Sequence, residues 1–205
     1  MQFRRLGTVD FASTFESMKE FTAARTAVTE DEIWLLQHPP VYTQGLSGKA
    51  EHVLDARDIP VIHIDRGGQV TYHGPGQWVA YVLYDLRRAE MNIRELVERL
   101  EAAVINLLAD YGITAHGDPS ARGVYVQGRK IAALGLKVSR GRSYHGLSLN
   151  VDMDLSPFSG INPCGYQGLE VTSVARELPE DHPLDASHLG DRLLYHLEQA
   201  LHAKA

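Results

Sequence analysis

The chain has 205 residues, and its 20 Lys+Arg against 26 Asp+Glu leave a formal charge of −6 before any of its ten histidines protonates. A hydrophobic content of 44% and a charged content of 22% exclude disorder, collagen-like repeats and coiled-coil rods, and the length fits one domain over 1–205. Net acidity argues against a general nucleic-acid binder, which needs basic surface to neutralise phosphates. The single cysteine excludes an intrachain disulfide and a thiolate zinc site.

In chain order, the first predicted element is a helix over about 10–28, with Phe11, Phe15 and Met18 at helical spacing and Asp10 as its N-cap. Residues 32–36 alternate as a strand that Pro39 and Pro40 stop, and 61–65 form a second short strand ending at Arg66. Residues 78–86 are apolar at nearly every position, as in a strand covered on both faces. A long amphipathic helix is predicted over 93–111, opened by a capping-box-like pair, Asn92 and Glu95, and stopped by Gly112. Strands over 123–126, 131–138 and 144–151, with turns at Gly128-Arg129 and Gly141-Arg142, read as an antiparallel meander. A last helix over 187–202 carries Leu189, Leu193, Leu197 and Leu201 at four-residue spacing. This order predicts an α+β, or mixed α/β, domain around one main sheet. No apolar run reaches membrane-spanning length, and Met1 leads into mixed sequence rather than a signal peptide, so the cytoplasm is the expected compartment.

The densest unusual segment is 66–77, where Arg66, Thr71, Tyr72 and His73 are compressed among four glycines between two predicted strands. Glycine lets backbone approach a ligand closely, so this loop predicts a binding site rather than a plain connection. Nucleotide motifs fail: Val79 stands where a GxGxxG match needs its third glycine, and Arg129-Lys130-Ile131 replaces the Walker ending after Gly128. His52, His63, His73 and His145 lack short ligand spacing, so no metal site is predicted. Cys164 lies between Pro163 and Gly165 on a constrained turn, which weakens the default reading of a lone cysteine as a small buried hydrophobe. To act as a nucleophile its thiol needs a nearby cation. One source is the stretch 119–151, which has no acidic residue but holds Arg122, Arg129, Lys130, Lys137, Arg140 and Arg142. One lysine would face the thiol, and the remaining charges would dock an acidic partner.

Segment 66–77, Arg129-Lys-Ile-Ala-Ala-Leu-Gly135, His145-Gly-Leu-Ser-Leu-Asn-Val151 and Asn162-Pro-Cys-Gly165 together resemble the lipoyl (octanoyl) transferase family. Gln37-His-Pro-Pro-Val-Tyr-Thr43 and Val171-Thr-Ser173 add to the resemblance, with Gln37 where the family more often has glutamate. It implies a mixed sheet flanked by helices, as in biotin and lipoate protein ligases. It implies octanoyl transfer from octanoyl-acyl carrier protein to a lysine of lipoyl domains, those of 2-oxoacid dehydrogenase complexes and the glycine cleavage H protein, with no cofactor, metal, nucleic acid or membrane. Carried over by motif, Cys164 is the acyl-accepting nucleophile and Lys130, rather than Lys137, its partner. Arg66, Gly67, Gly68, Gln69, Val70, Thr71, Tyr72 and His73 then wall the acyl pocket with Ala133, Leu134, Gly135, Gly146, Leu147 and Ser148. Gly67, Gly68 and Gly165 are the expected sources of oxyanion N–H donors, and Arg122, Arg140 and Arg142 the expected carrier-docking residues. The competing expectations are an ATP-dependent lipoate or biotin ligase, an amidotransferase between lipoyl-domain proteins, and a noncatalytic acyl- or carrier-binding module.

Overall fold

The computed structural model describes residues 1–203, the side chain of Cys164 excepted. In chain order the elements are β1 (Gln2–Thr8), α1 (Phe11–Ala24), β2 (Glu32–Gln37), β3 (Val41–Gln44), β4 (Val61–His63), β5 (Val70–His73), β6 (Gln77–Leu83) and α2 (Ile93–Asp110). They continue with β7 (His116–Gly117), β8 (Gly123–Val126), β9 (Arg129–Ser139), β10 (Arg142–Asn150), α3 (Val174–Glu177) and α4 (Ala186–His202). Seven strands form the main sheet in the order β1-β2-β6-β10-β9-β8-β7, and β4-β3-β5 form a second, smaller one. The main sheet is mixed: β1 runs parallel to β2, and the other pairs are antiparallel. The one main sheet expected from the sequence is present, and the smaller sheet is an addition that the sequence pattern did not indicate.

Period-two alternation explains why the central strands are apolar throughout. In β2 and β6, Ile33, Leu35, Ala80 and Val82 face a core shared with Leu96, Leu100 and Leu107 of α2 and Leu189, Leu193 and Leu197 of α4. Trp34, Leu36, Val79, Tyr81 and Leu83 point the other way, with Met18 of α1. A third cluster, including Tyr42, Tyr72 and Phe158, lies under the small sheet.

Local signals end the helices where their chemistry requires. The Asp10 carboxylate accepts from the Ser13 N–H at 2.9 Å and starts α1. That helix stops at Ala24, short of the predicted 28, because the Arg25 guanidinium turns inward to the Leu83 carbonyl and to Asp31. Asn92 caps α2 through the Glu95 N–H at 2.9 Å, while the Glu95 side chain pairs with Arg99 instead of closing a capping box. The predicted antiparallel meander forms, with tight turns one residue earlier than expected, at Gln127-Gly128 and Arg140-Gly141, whose four residues all have positive φ. That is the two-residue hairpin geometry whose twist matches its strands, so β9 and β10 continue right up to the turns.

Candidate active site

Between the two sheets lies a cavity of about 520 Å³, its open mouth included. One wall is Val70, Thr71 and His73 of the small sheet with Ile64, Arg66, Gly68 and Gln69 from the chain leading to it. The opposite wall is main sheet: Val79 and Tyr81 of β6, Ala133, Leu134 and Gly135 of β9, and His145, Gly146, Leu147 and Ser148 of β10. Phe11 of α1 completes the lining. Segment 66–77, read as loop, thus contains a strand, β5, whose alternation puts Thr71 and His73 on the cavity side, with Val70 reaching it at the strand's start. Tyr72 faces the opposite way, its ring against Tyr42 and Phe158, and Gly67 is absent from the lining because it is pinned to β9, its N–H bonded to the Leu136 carbonyl at 3.0 Å. Phe11, Ile64, Val79 and Tyr81 are lining residues outside the motifs, and His145, which heads one of them, lines the cavity too without having been assigned to its wall; the period-two pattern of β6, with Val79 and Tyr81 on one side, was the available signal.

Buried polar groups in the wall form one hydrogen-bonded chain. Arg66 donates to the Thr43 carbonyl at 2.7 Å and to its hydroxyl at 3.0 Å, and that hydroxyl reaches His73 Nε2 at 3.4 Å. Gln77 donates from its amide nitrogen to Tyr72 O and Asn150 Oδ1, so its oxygen accepts, and His73 Nδ1 must carry the proton of their 2.7 Å bond. Asn150 donates onward to the Thr172 carbonyl at 2.9 Å, and the Thr172 N–H bonds the Lys130 carbonyl at 2.9 Å. Burial pushes His73 down to about 3, so its imidazole is neutral. His38 is fixed similarly: Nδ1 donates to the Val9 carbonyl, leaving Nε2 to accept the Tyr81 hydroxyl, each at 2.7 Å, and burial lowers this histidine too. His145 holds φ of 60°, an uncommon conformation for a side-chain-bearing residue. Its Nε2 lies 3.1 Å from Asp65, whose carboxylate also accepts from Tyr144; burial outweighs that partner and lowers His145 to about 4. Of the other two histidines weighed as ligands, His63 is exposed on β4 and His52 lies against Asn162.

A smaller space shares Thr71, Ala133 and Ser148 with the cavity and adds Lys130, Asn150, Phe158, Pro163 and Val171. Lys130 is only 3% exposed, and its ammonium donates to the Arg122 carbonyl at 2.9 Å and lies 5.2 Å from the Tyr125 ring centroid. The β8–β9 register passes from Val124–Ala132 to Tyr125–Lys130, a bulge at Ile131 that re-aims the lysine. Lys137, by contrast, sits seven residues up β9, beside Tyr144 of β10. Pro163, which lines this space, opens the one-turn 3-10 helix Pro163–Gly165 that carries Cys164; the side chain of Cys164 lies outside the described residues. The Gln69 side-chain oxygen is buried with no hydrogen-bond partner among the described residues, and a Cβ on Gly165 would lie 3.3 Å from that amide group. Two of the three expected oxyanion donors are committed elsewhere, Gly67 N–H to Leu136 O and Gly165 N–H to Asn162 O at 2.9 Å. Two of the three expected docking arginines are committed as well: Arg122 pairs with Glu98 and Glu101, and Arg142 with Asp85 and the Arg25 carbonyl. Arg140, at the hairpin tip, is exposed.

The arrangement is an apolar slot ending at a buried ammonium beside a cysteine-bearing turn, which suits covalent acyl transfer. Residues 10–198 match the family model of the lipoyl protein ligase A/B catalytic domain. Among curated proteins, the octanoyltransferase of Dechloromonas aromatica is 57% identical over 98% of this chain and 97% of its own length. That of Neisseria gonorrhoeae is 52% identical over 100% and 98%. Among solved structures, the bipartite lipoate protein ligase of Thermoplasma acidophilum superposes with a TM-score of 0.76 at 17% identity, over 98% of this chain and 84% of that one. Lipoate-protein ligase A bound with ATP gives 0.73 at 18% over 98% and 86%, and biotin protein ligase of Aquifex aeolicus 0.60 at 12% over 98% and 70%. At those identities the structural likenesses establish the shared fold.

Proposed function

Because the chain belongs to the lipoyl protein ligase A/B catalytic family and its reaction is octanoyl transfer in protein lipoylation, we propose that Cys164 and Lys130 carry the octanoyl group between a carrier thioester and a lipoyl-domain lysine. The observation that carries this reading is the burial of Lys130 where the apolar cavity meets the turn holding the chain's one cysteine.

The cycle balances without ATP or a metal. The thiol proton of Cys164 resides on Lys130, and the thiolate attacks the carbonyl of the octanoyl–carrier thioester. The carbon–sulfur bond to the carrier breaks, and the departing carrier sulfur takes the proton from Lys130. Neutral Lys130 then accepts a proton from the acceptor lysine as that amine attacks the new thioester, and the Cys164 thiolate leaves. Thiolate and ammonium are restored, and the net products are carrier thiol and octanoyl-lysine. The Gln69 oxygen, unpartnered among the described residues, supplies an acceptor for the second N–H of the incoming amine.

The tail occupies the cavity between the sheets. From Ser148 to His145 the wall runs three strand residues, about 10 Å, a span suited to a medium-length acyl chain. Each buried methylene contributes ~0.8 kcal/mol, so affinity grows along the chain until the far end of the slot is reached. Acidic acyl carrier protein as donor, lipoyl domains of 2-oxoacid dehydrogenases and the glycine cleavage H protein as acceptors, and a cytoplasmic setting belong to the same proposal. No helix among the described residues is long and apolar enough to cross a membrane.

The deciding experiment is intact-protein mass spectrometry after mixing the enzyme with octanoyl-acyl carrier protein, without acceptor or ATP. The expected result is one octanoyl adduct mapping to Cys164, discharged on adding lipoyl domain and absent in Cys164→Ala. No adduct, with transfer appearing only when ATP and free octanoate are supplied, would overturn the cysteine route in favour of adenylate chemistry.

A further inference from the structure

Glu101 is a carboxylate on the otherwise apolar inner face of α2, in the company of Leu100, Ala103 and Val104, and it is 6% exposed. A charge in such a place is costly unless fully paired. It is paired with one short piece of backbone and its side chain: Oε1 accepts the Gly123 N–H at 2.9 Å and Oε2 accepts from Arg122 Nη1 at 3.1 Å. The carbonyl between those two groups, Arg122 O, accepts from the Lys130 ammonium. Gly123 has φ of 149°, and a Cβ there would stand 2.8 Å from both Lys130 Nζ and the Ala132 carbonyl. The lysine therefore lies against backbone that admits no side chain and that Glu101 grips from the helix behind it.

We propose that Glu101 is a positioning residue for Lys130: it fixes the 122–123 peptide whose carbonyl aims the ammonium at the cysteine-bearing turn. The inference rests on the Cys164–Lys130 reading and extends it from the cleft to α2. An accepting carbonyl favours the charged form of the amine. Releasing the 122–123 peptide should therefore misplace the ammonium and let it lose its proton at lower pH. The Tyr125 ring on β8 and the turn of Cys164 face the same group, and they are unchanged in the variants below.

The test is the pH dependence of octanoyl-enzyme formation from octanoyl-acyl carrier protein, followed by quenched-flow mass spectrometry. Wild type is compared with Glu101→Ala, Glu101→Gln and Lys130→Gln. Glu101→Ala should acylate on the order of 10- to 100-fold more slowly, the loss expected of a slightly misplaced reacting group, with the basic limb of the profile displaced to lower pH. Glu101→Gln keeps an oxygen for the Gly123 N–H and should stay within about threefold of wild type with an undisplaced limb. If Glu101→Ala fails to fold, Glu101→Asp, one methylene too short for the same grip, is read by the criteria set for alanine. A wild-type rate and profile in the alanine variant, or equal slowing of the alanine and glutamine variants without displacement, overturns the inference. A wild-type rate in Lys130→Gln overturns the dyad itself and this inference with it. An inactive Lys130→Gln beside a normal Glu101→Ala sinks the positioning role alone.

Discussion

Single residues in the cleft are held in defined protonation states by what surrounds them. His73 and His145, pushed down to about 3 and about 4 by burial, and His38, lowered by the same cause, are neutral in the fold and titrate near 6.5 once unfolded. Between those values the unfolded chain binds more protons, so stability is complete above about pH 6.5 and is lost as the pH falls toward the folded values. Each group can contribute up to about 1.4 kcal/mol per pH unit within that window. The urea midpoint should thus fall steadily from pH 7 to pH 5, and His73→Gln should flatten the slope. A slope unaltered in that variant would remove His73 from the account.

At the level of elements, the cavity is a meeting of strands whose backbones come unusually close. Gly135 of β9 shows the effect: a Cβ there would lie 2.9 Å from Arg66 Cδ and 3.2 Å from the Gly67 carbonyl. Arg66 cannot easily retreat, being held by Thr43 O, Thr43 Oγ1 and Gly67 O. Gly135→Ala should therefore narrow the slot, shift acyl preference toward chains shorter than octanoyl and raise KM for the octanoyl donor several-fold. Acyl-enzyme formation across a series of acyl-carrier thioesters is the check, and an unchanged preference would mean that the tail lies elsewhere. The same crowding explains what could be read in the sequence. Long periodic segments such as α2, α4 and the β8–β10 meander were legible because their patterns run over many residues. Strand β5 was not, since four residues inside a glycine-rich run carry too little alternation to separate strand from loop. Phe11 was assigned to a helix face from its spacing, but only its packing against Val41 and Ile64 brings that face to the slot. Arg122 and Arg142 looked like free surface charge because their partners, Glu98, Glu101 and Asp85, are distant in sequence.

The whole molecule packs two sheets with a slot between them, and the residues of the proposed site are divided across that slot. Thr71, His73 and Gln69 belong to the small-sheet side, whereas Lys130, Ala133 and Ser148 belong to the main sheet. The proposed tail would touch both walls along its length, so in the acylated state the substrate serves as mortar between two courses of masonry. An enzyme carrying octanoyl should accordingly resist separation of the sheets better than the empty one. Slower amide hydrogen exchange in β5 and the adjoining half of β9 would reveal it, while equal exchange in both states would mean the walls do not depend on their filling. On this view the lipid chain is for the life of each intermediate a piece of the protein's own interior, and turnover requires the enzyme to give up part of its core once per cycle.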